Sequence, residues 1–502
     1  MGGRERPQSA SIPPTGPDLA KETDMTDVTV VGSGPNGLSA ALTCARAGLR
    51  VRIIEAQSTV GGGARTLPDP EYPGVAHDVC SAIHPMALAS PFFRAFGLAD
   101  RVALTSPPIS YANPLDRRPA ALAYRDLERT CAQLRHPDSW RAMFAPLTGD
   151  NTAVADVMLT DKRSLPRQSA LAGALGLRVA AQASAGGRLL RGEDAQALFA
   201  GVAAHAVRPL NSLPAAGLGT ALAALGHTVG WPVPTGGSQA IVEAMLTEFT
   251  AHGGELVLGE PVTTPPPGVV IYDLPARALL GIYREELPNR YAARLRRLRY
   301  GAGVAKVDFV LSEEIPWADP RLLETATFHL GGSRDQMAAA EAAVGAGRHA
   351  QSPMVLAASP HVGDPTRIDE RGRRPFWTYA HVPHGSPVDQ AETVTAAVER
   401  FAPGFRDVVL AVRSVPASDM AGHNANLVGG DITGGGNSMW RAMAGPTLRA
   451  NPWALPVPRA YLCSAATPPN GGVHGMCGFY AARTALRREF GLPAPIRRSP
   501  SR

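Results

Sequence analysis

The chain has 502 residues, of which 45% are hydrophobic and 18% charged, a balance typical of a globular protein and not of a disordered one. This length exceeds what one hydrophobic core usually supports, so we expect two domains. The net charge of +6 is not gathered in Lys/Arg runs interleaved with aromatic residues, and this argues against a nucleic-acid partner.

Five cysteines lie far apart in the sequence, and no two of them form a C-x-x-C pair. This spacing argues against a disulfide scaffold, a zinc site and a dithiol redox centre, and we expect no bound metal. Reduced thiols in the cytoplasm are the default. No apolar run is long enough to cross a membrane. Residues 1–24 lack the apolar core of a secretion signal and are expected to be a disordered extension.

Residues 27–66 carry the clearest pattern in the sequence, a βαβ unit with a glycine-rich first turn. An apolar run over residues 27–32 predicts a buried strand, and a helical period follows from Pro35. Gly48 is expected to close that helix, and residues 51–55 form the second predicted strand.

The three glycines of this turn have the G-x-G-x-x-G spacing of a dinucleotide site. Gly32 permits the tight turn, Gly34 lets the backbone approach a pyrophosphate, and Gly37 lets the helix pack against the sheet. The helix N-terminus, at Pro35 and Asn36, is expected to face the phosphates.

Glu55 ends the second predicted strand and fits the acidic residue that accepts a ribose hydroxyl. A second glycine cluster, residues 61–66, follows soon after it. NAD dehydrogenases do not need such a cluster, whereas extended FAD passes along a loop at this place. The unit therefore predicts FAD and not NAD.

The middle of the chain, residues 87–230, is harder to interpret. Residues 168–206 have a helical period rich in Ala, Leu and Gly. They could form a lid over a lipophilic cavity, contact a membrane surface, or simply pack on their own domain. Strand and helix patterns return over residues 234–272, which suggests that the chain re-enters the nucleotide-binding domain.

The last part of the chain supplies a strand, a glycine-rich loop and a helix, over residues 459–490. Glycines again precede a helix N-terminus, which stabilises negative charge. The glycine-rich residues 422–440 lack the strand–turn–helix context, so no second dinucleotide site is predicted. A separate NADPH-binding domain is therefore not expected.

Six stretches together resemble the phytoene-desaturase-like FAD-dependent oxidoreductases, and most closely the branch that includes the pyridine nucleotide-disulfide oxidoreductase domain-containing protein 2 type. They are VGSGPNG, GGGART, HDVCSAIHP, APGF, NLVGGD and GGVHGMCG. The resemblance covers about residues 25–491, with an unmatched middle.

This resemblance implies an α/β fold of the GR2 type, in which a Rossmann-like FAD-binding domain is interleaved with an α+β substrate domain. The implied FAD-binding parts are residues 25–95, 231–280 and 421–491. The implied substrate-domain parts are residues 96–230 and 281–420, and a basic tail covers residues 492–502.

The same resemblance implies the residues that contact FAD. Gly32, Gly34, Gly37 and Glu55 would hold the ADP half, and Gly62, Gly63, Arg65 and Thr66 would line the pyrophosphate and ribityl path. Val262 would offer its backbone to adenine, and Gly471, Gly472, Val473 and His474 would lie by the flavin ring. Two features depart from the family: the usual β-hairpin after Val262 is reduced, and Ser464 and Asn470 replace common glycines.

The function expected from this reading is oxidation, or desaturation, of a lipophilic small molecule by hydride transfer to flavin N5, with O2 or a quinone as acceptor. A weak base would help to remove the accompanying proton. The candidates are His84, His474, His381 and Tyr379. Peripheral membrane contact stays open, and the oligomeric state is not predicted.

Three other functions stay open at this point. An amine or amino-acid oxidase would use an aromatic pair, for which Trp377 and Tyr379 lie two apart on one predicted strand. A flavin-dependent isomerase would need FAD without net oxidation. A non-redox binding protein of the GDP-dissociation-inhibitor kind would keep only the fold.

Overall fold

The structure is a computed structural model that describes residues 26–161, 163, 168–185, 188–435 and 438–495. The predicted extension, residues 1–24, lies outside these residues, as does most of the basic tail. Two large sheets form the framework, one of five strands and one of seven.

The sixteen strands of the described residues are short, with a longest length of nine residues. They are β1 Val28–Val31, β2 Val51–Glu55, β3 Thr66–Pro68, β4 Ala76–Asp78, β5 Leu104–Thr105, β6 Ile109–Leu115, β7 Arg118–Tyr124, β8 Val233–Pro234, β9 Glu255–Leu258, β10 Val269–Tyr272, β11 Gly303–Leu311, β12 Thr327–His329, β13 Val355–Ala358, β14 Arg374–Val382, β15 Val409–Val415 and β16 Ala460–Leu462.

The α-helices of the described residues are α1 Pro35–Arg46, α2 Pro85–Ala89, α3 Pro91–Phe96, α4 Leu98–Arg101, α5 Leu127–Gln133, α6 Pro137–Phe144, α7 Ala153–Met158, α8 Ser169–Ala185, α9 Glu193–Ala204, α10 Leu213–Gly226, α11 Gln239–Ala251, α12 Leu279–Tyr283, α13 Asn289–Arg296, α14 Arg334–Gly345, α15 Ala391–Glu399, α16 Phe405–Val408, α17 Met420–His423, α18 Met439–Ala444 and α19 Met476–Ala485. Short 3-10 segments include Gly62–Ala64 and Val428–Gly430.

The five-stranded sheet has the order β16-β10-β1-β2-β9, and all its neighbours pair in parallel. Strands β1 and β10 are buried along their whole length, as parallel strands covered on both faces must be. Three separate parts of the chain supply the strands of this sheet. The predicted Rossmann-like α/β fold is thereby confirmed.

Helix α1 follows β1 and is crossed closely by α19, from the far end of the chain. A Cβ on Gly478 of α19 would lie 1.9 Å from the carbonyl oxygen of Asn36. Only glycine permits this approach, and it brings the C-terminal loop beside the first turn.

The seven-stranded sheet has the order β15-β11-β14-β13-β12-β6-β7 and is antiparallel except between β12 and β6. Strand β14 pairs with β11 along nine residues. Because side chains alternate along a strand, Trp377, Tyr379 and His381 share one face, while Phe376 and Thr378 lie on the other. The first face looks toward the five-stranded sheet across a cavity.

Within the strand and helix pattern predicted over residues 234–272, β9 ends at Leu258, because Gly259 has φ +75° and Pro261 follows. The helical stretch expected over residues 168–206 contains two helices, and the second begins at Glu193, after Gly192, which has φ +89°.

Candidate functional site

A cavity of about 990 Å³ lies between the two sheets. Its floor is formed where β1, β2 and β10 end, the place where open parallel sheets bind ligands. Its roof is formed by β12, β13 and β14 and by helices α8 and α10. Val262 and Trp231 both belong to the lining of this cavity.

The first glycine turn has the close contacts that its motif predicts. A Cβ on Gly34 would lie 2.8 Å from Oδ2 of Asp273, so the backbone there is bare toward the cavity. A Cβ on Gly37 would lie 2.0 Å from the carbonyl oxygen of Gly32. Gly37 does not line the cavity, and its part is to allow close packing of α1.

Glu55 lines the cavity at the end of β2, and its carboxylate is held in place. Oε2 accepts hydrogen bonds from the backbone N–H of Ser33 at 2.8 Å and from its hydroxyl at 2.6 Å. Oε1 accepts from the N–H of Gln57 at 2.9 Å. A carboxylate has further lone pairs, so Glu55 can also accept from ribose hydroxyls.

Arg65 places a positive charge against the cavity wall while its side chain stays buried. Nε donates to the carbonyl of Gly62 at 2.9 Å, Nη1 donates to the hydroxyl of Thr59 at 3.0 Å, and Nη2 donates to the carbonyl of His423. No carboxylate among the described residues lies within ion-pair distance of it. Because a buried charge needs a partner, this guanidinium fits an anionic ligand such as a pyrophosphate.

Three other predicted cofactor residues, Pro35, Asn36 and Val262, line the cavity. Oδ1 of Asn36 is buried and accepts no hydrogen bond within the described part of the chain. A ligand donor would satisfy this oxygen. Gly62 and Gly63 line the same wall as Arg65.

Thr66 does not reach the cavity, contrary to the expectation from the motif. Its hydroxyl donates to Asp78 at 2.7 Å and accepts from the backbone N–H of Gln239 at 3.1 Å. Asp78 in turn forms an ion pair of 3.0 Å with Arg367. Thr66 therefore joins β3, β4 and α11 below the cavity.

The C-terminal loop is only partly placed as expected. Gly471, Gly472 and Val473 line the cavity, whereas His474 is fully buried behind them. Nε2 of His474 donates to the carbonyl of Asn470 at 2.9 Å, and Nδ1 accepts from the N–H of Met476 at 3.1 Å. Both ring nitrogens are used within the loop, so His474 shapes the loop and has no nitrogen free to act as a base.

Two of the four predicted bases, His84 and Tyr379, line the cavity. The hydroxyl of Ser238 donates to the carbonyl of Ser81, so Nε2–H of His84 must donate to that hydroxyl, at 2.8 Å. Nδ1 then carries the lone pair, and it is buried without a partner among the described residues. Burial lowers the pKa of His84 to about 4, so the imidazole is neutral near pH 7.

Trp377 and Tyr379 both line the roof of the cavity, with ring centroids 5.2 Å apart and an interplanar angle of 78°. His381 stacks behind Tyr379 at 5.6 Å and does not line the cavity. Its Nδ1 bonds to Oε1 of Glu341 at 2.5 Å. His381 is therefore a buried partner of Glu341 and is too deep to touch a ligand.

Two residues near this cavity have no signal in the sequence motifs. Asp273 follows β10 and accepts a 2.9 Å hydrogen bond from the N–H of Gly37. Burial, reinforced by the charge of Glu55, raises the pKa of Asp273 to about 7. Lys306 of β11 is buried, pairs with Asp308 and lies 5.6 Å from the ring centre of Trp377. The order of the strands brings Asp273 and Lys306 to the site. That order cannot be deduced from the spacing of residues in the sequence.

Cys80 and Cys477, which lie in the HDVCSAIHP and GGVHGMCG stretches, are favoured as neutral thiols by their surroundings. Burial raises the pKa of Cys80 to about 11 and that of Cys477 to about 12. A thiolate is the form that attacks a flavin, so neither thiol suits covalent attachment. Within the described ranges there is no group of three or more side chains placed to hold a metal ion. No helix among those residues is long and apolar enough to span a membrane.

Comparison with known proteins agrees with this geometry. Residues 30–97 match the model of the NAD(P)-binding Rossmann-like domain. An uncharacterised protein of Mycobacterium bovis is 27% identical over 428 residues, which cover 74% of this chain and 77% of that protein.

Two further relatives have named activities or domains. A hydroxyneurosporene desaturase of Rhodobacter capsulatus is 52% identical over 48 residues, which cover 10% of each chain. The pyridine nucleotide-disulfide oxidoreductase domain-containing protein 2 of Rattus norvegicus is 24% identical over 299 residues, 51% of each chain. Among solved structures, a putrescine oxidase double mutant has a TM-score of 0.56 at 16% identity, covering 92% of this chain and 98% of that one, and so shares the fold.

The protein is an FAD-dependent oxidoreductase. Four features agree with this class: the fold, the glycine turn that lines the cavity, the hydrogen-bonded carboxylate of Glu55, and the buried guanidinium of Arg65 that fits an anionic ligand. The relatives that carry names support an FAD-dependent oxidoreductase similar to the phytoene-desaturase-like proteins. Redox enzymes of this class differ from binding proteins of the GDP-dissociation-inhibitor kind, which keep only the fold, so that alternative function is not supported.

Proposed function

We propose that this enzyme oxidises a C–H bond of a largely apolar small molecule, most simply by desaturation, with O2 or a quinone as the electron acceptor. The observation that carries this proposal is the apolar half of the cavity beyond Trp377 and Tyr379. Its walls are supplied by Met158, Leu159, Leu175, Val179, Leu218 and Leu222. Such walls exclude water and orient an apolar chain.

In this proposal the cofactor is held by residues at the ends of the parallel strands. Glu55 accepts hydrogen bonds from the ribose, the backbone at Gly34 and Pro35 approaches the pyrophosphate, and Arg65 offsets its charge. Gly471, Gly472 and Val473 form the wall beside the ring. The chemistry that bound FAD supplies is two-electron oxidation, with a hydride as the species removed from substrate.

Desaturation also removes a proton from the neighbouring carbon, and His84 is the residue proposed to accept it. Its tautomer is fixed by Ser238, so the acceptor atom is Nδ1. A pKa of about 4 makes His84 a weak base. A weak base is sufficient here, because loss of hydride makes the adjacent C–H strongly acidic.

An amine oxidase is the second candidate, and the Trp377–Tyr379 pair favours it, since both rings line the cavity and an amine could pack against them. A protonated amine would also need a negative anchor. The carboxylates that line the cavity among the described residues are Glu55, Glu260 and Asp273, all on the five-stranded sheet or the loops that follow its strands. None of them lies on the roof of the cavity, where the aromatic pair is. For this reason an amine oxidase is the second candidate and not the first.

Anaerobic titration of the FAD-loaded protein separates the candidates. Bleaching of the flavin by an apolar polyene precursor or another unsaturated hydrocarbon, with recovery in air or with a quinone, supports desaturation. Bleaching by primary amines alone would replace the proposal with the amine oxidase. Product formation without bleaching or acceptor consumption would indicate a flavin-dependent isomerase.

A further inference from the structure

Two polar side chains line the cavity on the side of the seven-stranded sheet and its helices, among mostly apolar residues. His205 follows α9 and Thr327 begins β12, and both line the cavity. The rings of His205 and Trp231 meet edge to face, with centroids 5.4 Å apart at 90°. Neither residue is among those proposed above to contact the cofactor or to accept a proton.

A chain of hydrogen bonds fixes the orientation of His205. The amide nitrogen of Asn113 donates to the carbonyl of Ala197 at 3.0 Å, which leaves Oδ1 of Asn113 as an acceptor. Nδ1–H of His329 donates to that oxygen at 3.2 Å, so Nε2 of His329 holds a lone pair. Nε2–H of His205 must donate to it, at 2.9 Å.

This chain leaves Nδ1 of His205 as a hydrogen-bond acceptor with no partner in the part of the protein that the structure describes. Burial is the main cause that lowers the pKa of His205, to about 3, with a contribution from His381. Burial, with contributions from His205 and His381, lowers the pKa of His329 well below its ordinary value. Both rings are therefore neutral at physiological pH. The acceptor carries no charge.

Glycine at position 201 is what lets α9 bring His205 to this place. A Cβ on Gly201 would lie 2.6 Å from Nδ2 of Asn113 and 2.6 Å from Cγ of His329. Any side chain there would push α9 away from the sheet. His205 lies four residues further, on the same side of the helical path.

Thr327 supplies the second polar atom. Its hydroxyl is buried, lines the cavity, and has no hydrogen-bond partner among the described residues. Thr327 and His329 are two apart on β12, so they share one face about 6.6 Å apart. A buried hydroxyl without a partner is costly, which points to a ligand that completes it.

We propose that His205 and Thr327 together bind a hydroxyl group of the substrate. The substrate hydroxyl donates to Nδ1 of His205 and accepts from the hydroxyl of Thr327. The substrate class is then an apolar molecule that carries an uncharged alcohol. This inference rests on the proposed function, because it names the substrate class of the same cavity.

Isothermal titration of the FAD-loaded protein with two probes, 1-octanol and methyl octyl ether, tests this directly. The ether keeps the oxygen acceptor but has no proton to donate. We expect the alcohol to bind about tenfold or more tightly, since a buried acceptor would be left unpaired by the ether. His205→Phe should reduce that preference to less than threefold. Thr327→Val removes the donor to the oxygen of either probe, so it should weaken binding of both probes and leave the preference for the alcohol.

Thr325→Val is the matched control. Thr325 is on the same segment and has a buried hydroxyl without a partner among the described residues, but it does not line the cavity. Its variant should bind both probes as the wild type does. Equal affinity for the two probes, no binding of the alcohol, a preference that His205→Phe leaves intact, or wild-type affinity for both probes in Thr327→Val would overturn the inference.

The calorimetric result is independent of turnover, so the two proposals fail separately. Selective binding of the alcohol by a protein whose flavin no unsaturated substrate reduces would contradict only the proposed oxidation. Reduction of the flavin by hydrocarbons, without any preference for the alcohol probe, would contradict only the hydroxyl site.

Discussion

The carboxylate of Asp273 accepts a 2.9 Å hydrogen bond from the backbone N–H of Gly37, in the first turn of α1. This places an acidic side chain at a helix N-terminus that the dinucleotide motif reserves for phosphates. The helix end stabilises the negative charge, but burial opposes it more strongly and raises the pKa of Asp273 to about 7. The residue is thus poised between its charged and neutral forms near neutral pH.

The first prediction concerns the pH dependence of stability. An unfolded Asp titrates near 3.8, so the folded protein binds the extra proton between about pH 4 and pH 7. Stability therefore falls as pH rises through that window, and the penalty is complete above pH 7. Asp273→Asn should stabilise the FAD-free protein at pH 8 by on the order of 2–4 kcal/mol and have little effect at pH 4. Urea unfolding at both pH values checks this, and an equal effect at the two would contradict it.

The second prediction concerns the packing of the first turn. Gly37→Ala forces a Cβ to 2.0 Å from the carbonyl oxygen of Gly32, so the turn must open. We expect purified Gly37→Ala protein to retain less than a tenth of the wild-type FAD and to unfold at lower temperature. Gly176→Ala, in α8 with no atom within 4 Å of the new Cβ, is the control. It should keep its FAD and gain about 0.5–1 kcal/mol.

The third prediction concerns the oriented carboxylate. In Glu55→Gln the amide would present N–H groups to the donors of Ser33 and Gln57, so either the amide or the loop must turn. We expect FAD affinity to fall at least tenfold, consistent with a loss of about 1.5–3 kcal/mol for a hydrogen bond to a charged group. Fluorescence titration of the FAD-free protein measures this. Glu243→Gln, on the exposed side of α11, should bind FAD as the wild type does.

The fourth prediction distinguishes the role of His84, in the HDVCSAIHP stretch, from that of His474, in the GGVHGMCG stretch. His84→Gln should keep FAD but slow anaerobic flavin reduction by about 10²-fold, the usual range for loss of a positioned base. His474→Gln should instead loosen the loop and weaken FAD binding, because its ring joins Asn470 to Met476. Stopped-flow reduction together with FAD titration distinguishes them. An unchanged reduction rate in His84→Gln would remove His84 from the mechanism.

The pH profile supplies a further check on His84. With a pKa of about 4, Nδ1 becomes protonated only as pH falls through that value. The rate of reduction in the wild type should then show no loss from this group between pH 6 and pH 8. A limb near pH 6.5 that disappears in His84→Gln would show that His84 titrates as an ordinary exposed histidine.

Local patterns were sufficient for the βαβ unit and for the FAD class, because each signal lies within about forty residues. Strands β1 and β2 were predicted to within one residue for the same reason, since an apolar run marks each of them. Two of the predicted cofactor residues that lie outside the cavity, Thr66 and His474, are held there by hydrogen bonds that the motifs do not reveal. Thr66 is drawn to Asp78 and Gln239, and His474 turns back to its own loop.

The polar residues that the sequence did not single out depend on contacts between distant strands and helices. Asp273 meets Gly37 across 236 positions, and His205 meets His329 across 124. No period or motif predicts these pairs, because the order of strands in each sheet is set by packing. A buried histidine in an apolar helix also looks like an ordinary core residue until its partners are known.

The most direct test of the central claim is the flavin content of the purified protein. We predict a yellow protein with the visible spectrum of an oxidised flavin, which releases one FAD per chain on denaturation and is bleached anaerobically by dithionite. A colourless protein that takes up no added FAD, or one that binds FMN or NAD in its place, would contradict the account.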